Sequence, residues 1–379
     1  MAGCLFIMTV LFLFYTFWGY PLLLYALSRV VRRKVLRGGY QPDVTMIIPV
    51  YNEEKTIGAK LINCLSIDYP KEKFSIIVAS DCATDRTEEI VRSMGSDQVR
   101  FISLPTRGGK VAAQNYAIQF CDAEIIIFSD VAILTDPDCV KLTVENFNDP
   151  KVGGVSCRDV IVGSNPKGED SYIRYDMMVR KFTSQIGSII GVTGGFYAVR
   201  SVVAKGGWNP AFPPDFYVAI RCIKRGLRVI EDSRVRAHYK TAARGWDEMQ
   251  RKVRTLNRGM HTLFEASNRT LLNPFRYGFV SVALFSHKLL RWSMPFMLIC
   301  LYVSNWKLLG DSPVAGILFS VQTFGYALAW ISFFLQRRRV GKRIFKLGVF
   351  FLIANMALIR AWFEFIIGKK YVLWQPTVR

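Results

Sequence analysis

Apolar residues gather at both ends of this chain and alternate with polar ones in between. From Cys4 to Leu27 no side chain carries a charge. A helix of that length reaches about 36 Å, more than the roughly 30 Å of a bilayer's hydrocarbon core, so it can span. Beyond Asn273 three further apolar runs follow, 289–306, 313–335 and 345–367, broken by Arg291, Pro295, Asn355, Arg360 and Glu364. Two of these read as spans, and the third as a span or an interfacial helix. Between Gln41 and Ile230 short β-branched runs (44–50, 74–80, 99–104, 124–129, 155–162, 196–199 and 228–231) alternate with amphipathic ones (53–65, 85–94, 110–120, 137–147, 215–224 and, past the last strand, 246–265). That alternation predicts an α/β domain with a mostly parallel sheet. The chain divides into an N-terminal anchor over 1–28, an α/β domain over 41–266 and a membrane region over 273–368.

Charge orients this plan. No charged side chain precedes the first apolar run, whereas Arg29, Arg32, Arg33, Lys34 and Arg37 follow it. This fits an uncleaved anchor better than a signal peptide, and it puts the N-terminus outside and the middle domain in the cytosol, on a multi-pass protein of the cytoplasmic membrane. If all three C-terminal runs cross, the basic tail lies outside, against that tendency. The net charge of +21 resides largely beside apolar segments, as in 336–343. Anionic membrane lipids explain such placement better than nucleic acid does. None of the eight cysteines forms a C-x-x-C pair, and six lie in the middle domain, which points to reduced thiols.

Candidate chemistry lies at strand ends, because open α/β sheets bind ligands outside the carboxyl ends of their strands. The first strand runs into Pro49, Val50, Tyr51, Asn52, Glu53 and Glu54, the second into Ser80, Asp81 and Cys82, and the fourth into Ser129 and Asp130. Singly, an acid there is as readily a cap or a turn residue, and Asp85 and Asp136 read as caps. Together they frame a crevice where one carboxylate accepts from a base or ribose and another holds a divalent cation on a diphosphate. No G-x-G-x-x-G follows the first strand, and Gly109-Lys110 is not a P-loop, since Leu104 and Val111 occupy its glycine and Ser/Thr positions. The turn 107–110 remains a basic helix start, for phosphate or for capping alone. Asp215 opens a further helix as a base or an N-cap, and Arg251, Arg254 and Arg258 share one helix face, for a diphosphate or for solvent.

In this order the motifs resemble the family 2 glycosyltransferases, inverting enzymes with the nucleotide-diphospho-sugar transferase (GT-A) fold. The resemblance covers residues 41–266, with membrane segments arranged as in the branch that makes polysaccharides and glycolipids. It implies that the stretch 44–54, with Pro49, Tyr51 and Glu53, contacts the nucleotide, that Asp81 reads the base and that Lys110 borders the donor. Asp130 stands as the first acid of the metal-binding D-x-D, but Ala132 replaces the second. A Mg²⁺ or Mn²⁺ on Asp130 therefore needs another ligand, for which His238 is the candidate. Gly194 and Gly195 lie in the acceptor-side loop, Asp215 at the catalytic base, and Arg251 to Thr255 at the Q-x-x-R-W motif of processive synthases. There Arg254 matches, whereas Arg251 and Thr255 replace the Gln and Trp, which disfavours processive synthesis. The resemblance implies sugar transfer from a nucleotide-diphospho-sugar, expected to be a UDP-sugar, to a lipid-linked saccharide or a nascent polysaccharide. A polymer-extruding synthase and a non-catalytic scaffold are the alternatives.

Overall fold

Val44–Val50 is buried along its whole length, as a strand covered on both faces must be. Met46, Ile48 and Val50 face one layer of helices, Ile57–Leu65, Thr87–Ser93 and Cys139–Val144. Ile47 points the other way, with Ile77, Ile126 and Phe128, onto Lys110–Ile118 and Pro214–Lys224. This period of two sets the sandwich. The computed structural model describes residues 1–162, 167–239, 245–311, 313–336 and 343–371. The basic run 337–342 and the tail 372–379 fall outside them.

The strands are β1 (Val44–Val50), β2 (Phe74–Ser80), β3 (Val99–Ser103), β4 (Ile125–Ser129), β5 (Leu134–Thr135), β6 (Val152–Ile161), β7 (Phe196–Arg200) and β8 (Arg228–Tyr239). They form one sheet in the order β3-β2-β1-β4-β7-β6-β8-β5. β1 runs parallel to both β2 and β4, and β3 parallel to β2. β7 is antiparallel to β4 and β6, whereas β8 pairs parallel with β6 and antiparallel with β5. Chain order reverses between β1 and β4, and the crevice at that switch point is where the carboxyl ends of β1, β2 and β4 meet.

Three features differ from the sequence-based expectation. The first helix starts at Ile57, not Glu53, because Asn52 adopts a positive φ of 53° and turns the chain. β8 continues past Glu231 to Tyr239, since Val235 and Ala237 alternate into the core and β5 covers its edge. The helix Lys167–Ile186 was not predicted. It joins the sheet to the membrane part by packing Val179 and Ile186 against Tyr20 and Leu24.

Among the described residues, Ala2–Val30, Pro313–Leu335 and Gly348–Ile366 are long and apolar enough to cross a membrane. They leave Leu11, Phe14, Ile317, Val321 and Phe324 exposed, as lipid-facing surfaces do. The run expected at 289–306 begins in the helical stretch 279–292 and continues past Ser293 as Met294–Lys307, which packs along the first span. It is not among the helices long and apolar enough to cross. The C-terminal helix Arg343–Ile366 sets Ala357, Leu358 and Ala361 against Met249, Val253 and Met260 of Gly245–Phe264. Catalytic-type domain and membrane helices therefore share cores.

One buried ion pair lies in the joint. Arg180 stands 3.3 Å from Glu231, which is 3% exposed. Burial pushes the Glu231 carboxyl up to about 7 against the opposing pull of Arg180. A raised carboxyl favours its neutral form in the fold, so the associated stability is complete below the unfolded glutamate value of about 4.3 and is lost as pH rises through about 7. The thermal midpoint should fall across that window, and Glu231→Gln should flatten the fall; an unchanged slope in the variant contradicts the assignment.

Candidate active site

One side of the crevice is built at the ends of β1 and β2. Asn52 and Cys82, the non-glycine residues with positive φ, sit at those two ends, and each such conformation costs on the order of 1–3 kcal/mol. Asn52 Oδ1 accepts from the Thr84 N–H at 2.8 Å and ties the two turns together. Glu53 Oε2 accepts from Thr56 Oγ1 at 2.5 Å, and Pro49 is buried within β1. The Arg107 guanidinium lies 3.9 Å from the centroid of the Tyr51 ring. Asp81, 2% exposed, accepts from the Gly108 N–H at 2.7 Å and the Gly109 N–H at 2.9 Å. Gly109, with φ of 86°, then turns the chain into the helix Lys110–Ile118. In this structure the Asp81 carboxylate holds the basic loop.

That loop delivers Lys110 to the centre. Its ammonium pairs with the Asp130 carboxylate and donates to the Gly194 carbonyl at 3.3 Å. The Asp130 N–H in turn donates to the Gly195 carbonyl at 2.8 Å. A β-carbon on Gly195 would stand 2.9 Å from Ile133 Cδ1, so a larger residue there would have to displace the Ile133 side chain. A β-carbon on Gly194 would lie 3.6 Å from Asp215 Oδ2, which seats that carboxylate against the glycine loop. Asp215 occupies the first turn of Pro214–Lys224, where backbone N–H groups favour an anion, and its Oδ1 accepts from the Phe216 N–H at 3.0 Å. Asp130, Lys110, Gly194, Gly195 and Asp215 thus converge. Tyr197 lies behind them, stacked on Phe128 at 5.0 Å. Burial, and then the charges of Asp215 and Asp130, push its phenol well up.

Lys60 gave no signal in sequence. It is fully buried, and its ammonium donates to Ser129 Oγ at 2.8 Å and to the Ile133 carbonyl at 2.6 Å, pinning the turn that carries Asp130 from below. Among the three arginines of Gly245–Phe264, Arg258 is the one the structure turns toward Asp215. Its Nη2 donates to the Phe212 carbonyl at 2.6 Å and the Pro210 carbonyl at 3.2 Å, bracing the segment that leads into Asp215. Burial lowers Arg258, with the negative charge of Asp215 opposing. Burial and then Arg251 lower Arg254, which is coupled to Tyr371.

His238 and Asp130 are each otherwise engaged. His238 Nε2 lies 2.8 Å from Asp136 Oδ1, where β5 pairs with β8, so the side chain of Asp136 serves the histidine and not a helix cap. Among the described residues no three His, Cys, Asp or Glu side chains form a group that could hold a metal ion. A preformed protein cage does not fit. A hard cation completed by substrate phosphates does, because Mg²⁺ is commonly held by one or two carboxylates plus phosphate oxygens and water, and Asp130 is a partly exposed carboxylate at the crevice.

Residues 45–205 match the family model described as Glycosyl transferase family 2. They form a family 2 glycosyltransferase domain. Over 181 residues the chain is 26% identical to a beta-monoglucosyldiacylglycerol synthase of Nostoc sp. (strain PCC 7120 / SAG 25.82 / UTEX 2576), covering 45% of this chain and 39% of that protein. Over 174 residues it is 26% identical to a poly-beta-1,6-N-acetyl-D-glucosamine synthase of Staphylococcus epidermidis, covering 44% and 42%. The chain thus spans about two fifths of the length of these relatives. A mannosyltransferase from Pyrobaculum calidifontis, solved with GDP-Man and Mn²⁺, superposes with a TM-score of 0.71 at 22% identity over 96% of this chain and 99% of that one. The likeness shows the fold, a GT-A sheet with the candidate membrane helices beside it. Asp81→Ala should remove two charge-assisted hydrogen bonds from the basic loop, at a cost of about 3 kcal/mol. Nucleotide-sugar binding measured by calorimetry should weaken about tenfold or more; unchanged affinity contradicts a loop organised by Asp81.

Proposed function

We propose that the chain is a membrane-anchored inverting glycosyltransferase that adds a sugar from a nucleotide-diphospho-sugar to a lipid-linked saccharide or exopolysaccharide acceptor. The observation that carries this reading is the placement of Lys110 between Asp130 and Gly194, with Asp215 against the same glycine loop. A cation for a leaving diphosphate and a carboxylate for an acceptor proton are held beside the same glycine, Gly194. The relatives' activities, on a glycolipid and on a polysaccharide, suit the acceptor classes.

The donor lies at the carboxyl ends of β1, β2 and β4, with Pro49, Tyr51, Glu53 and the Asp81-braced loop around its nucleotide. Asp215 takes the proton of the acceptor hydroxyl on Oδ2, because Oδ1 is engaged by the Phe216 N–H. The freed oxygen bonds to the anomeric carbon from the face opposite the nucleotide as the bond from that carbon to the diphosphate oxygen breaks. Lys110, with Arg254 and Arg251 of Gly245–Phe264, stabilises the departing charge. Asp130 would hold a Mg²⁺ or Mn²⁺, which supplies further neutralisation of the diphosphate. Thr255 in place of the synthase tryptophan favours single addition over polymer extrusion. The cluster Arg29 to Arg37 beside the first span supports a cytosolic active site on a multi-pass protein of the cytoplasmic membrane. UDP is the favoured nucleotide, tested by presenting labelled UDP-, GDP- and dTDP-sugars to membranes.

Asp215→Asn should keep donor affinity within about twofold and lower transfer about 10²–10⁴-fold, the worth of a positioned base; transfer at the wild-type rate rules out Asp215. Chelation should stop transfer and Mn²⁺ or Mg²⁺ restore it, except in Asp130→Ala. Transfer indifferent to chelation refutes the cation.

A further inference from the structure

A cavity of about 190 Å³ opens beside Asp215. Its walls come from parts of the chain far apart in sequence: Tyr20 of the first span, Asp176 and Arg180 of Lys167–Ile186, Asp215, and His287 and Lys288 of the helical stretch that leads into Met294–Lys307. Most of its charges are already matched. Asp176 accepts from His287 Nε2 at 3.1 Å and from Arg291 Nη1 at 3.2 Å, and Arg180 pairs with Glu231 and donates to Ser156 Oγ at 2.5 Å.

Lys288 is different. Among the described residues its ammonium has no carboxylate within ion-pair distance, and it stands 5.0 Å from the centroid of the Phe216 ring, next to Asp215. Two more polar atoms on the walls, Tyr20 Oη and His287 Nδ1, are buried without a hydrogen-bond partner among the described residues. An ammonium with no paired carboxylate, set beside unsatisfied buried polar atoms, is costly unless something fills the space between them. A neutral hydroxyl would leave the ammonium only the more distant charges of Asp176 and Asp215, whereas an anion with several oxygens would pair with it directly, accept from Tyr20 and favour a protonated His287 that donates from Nδ1. The cavity is walled by the first span itself, so a ligand there is within reach of the bilayer.

We infer that this cavity binds a phosphate group carried by a membrane-borne acceptor, and that Lys288, Tyr20 and His287 hold it so that the acceptor's attacking oxygen lies against Asp215. The inference rests on the glycosyltransferase reading and narrows its acceptor to a phosphorylated lipid. Lys288, Tyr20 and His287 are acceptor-binding residues, and Asp176 and Arg291 position His287.

The test uses the full chain in detergent micelles, without donor. Binding of geranylgeranyl phosphate, of geranylgeraniol and of inorganic phosphate is read by calorimetry and by the shift in thermal midpoint. Wild type should bind the phosphorylated lipid about tenfold or more tightly than the alcohol, the size of a charge-assisted contact. Lys288→Gln should erase that difference, and Lys288→Arg should keep most of it. Equal affinity for phosphate and alcohol in the wild type overturns the proposal whether or not any variant folds, as does a difference that survives in a folded Lys288→Gln. Inorganic phosphate that competes as strongly as the lipid overturns the membrane-borne source and reassigns the cavity to soluble phosphate esters. Nucleotide-sugar binding is measured on the same samples. Intact donor binding with no lipid preference removes the phosphate subsite alone, whereas absent donor binding strikes the glycosyltransferase reading.

Discussion

The ammonium of Lys110 fixes the geometry on which the site depends. Asp130 and Asp215 belong to different strands and loops, and two carboxylates facing one crevice repel each other. Lys110 touches the first and the carbonyl of Gly194, a residue whose place beside the second leaves room for no more than a β-carbon in contact, so one cation ties the two carboxylates to the same glycine. Everything around it serves that placement. Asp81 holds the N–H groups of Gly108 and Gly109 so that the helix carrying Lys110 starts where it does. Lys60 holds the Asp130 turn from underneath through Ser129 and Ile133, and the Asp130 N–H ties that turn to the Gly195 carbonyl of the glycine loop.

The repeating part of this design could be read from the chain alone. β1, β2 and β4 are continuous β-branched runs followed by polar residues, and the acids after them lie at one sheet edge because parallel strands align their carboxyl ends. Asp130, Lys110, the glycine pair and Asp215 were all legible by type and order, and the structure brings them together. What long-range packing decides was not legible. Lys60 reads as an ordinary helix surface residue until the Asp130 turn covers it. Arg254 was favoured over Arg258 by its motif, yet it is Arg258 that braces the segment before Asp215. His238 offers a ligand by composition and is taken by Asp136 once β5 pairs with β8. The helix Lys167–Ile186 had a signal, since Tyr175, Val179, Phe182 and Ile186 recur at helical spacing, but the many charges between them obscured it.

The membrane helices complete the architecture. Tyr20 and Leu24 of the first span share a core with Lys167–Ile186, and the last helix shares one with Gly245–Phe264 and Phe216, the neighbour of Asp215. The first and last spans are therefore packed against the domain near Asp215, while the crevice at the switch point lies between β1 and β4. On the proposed function, the donor would enter at that crevice and the acceptor beside the spans.

The stereochemistry of transfer tests that arrangement most directly. With whichever α-linked nucleotide-sugar supports activity, proton NMR of the isolated product reports the anomeric configuration of the new bond. One displacement at Asp215 gives the β product; an α product, with configuration retained, contradicts it.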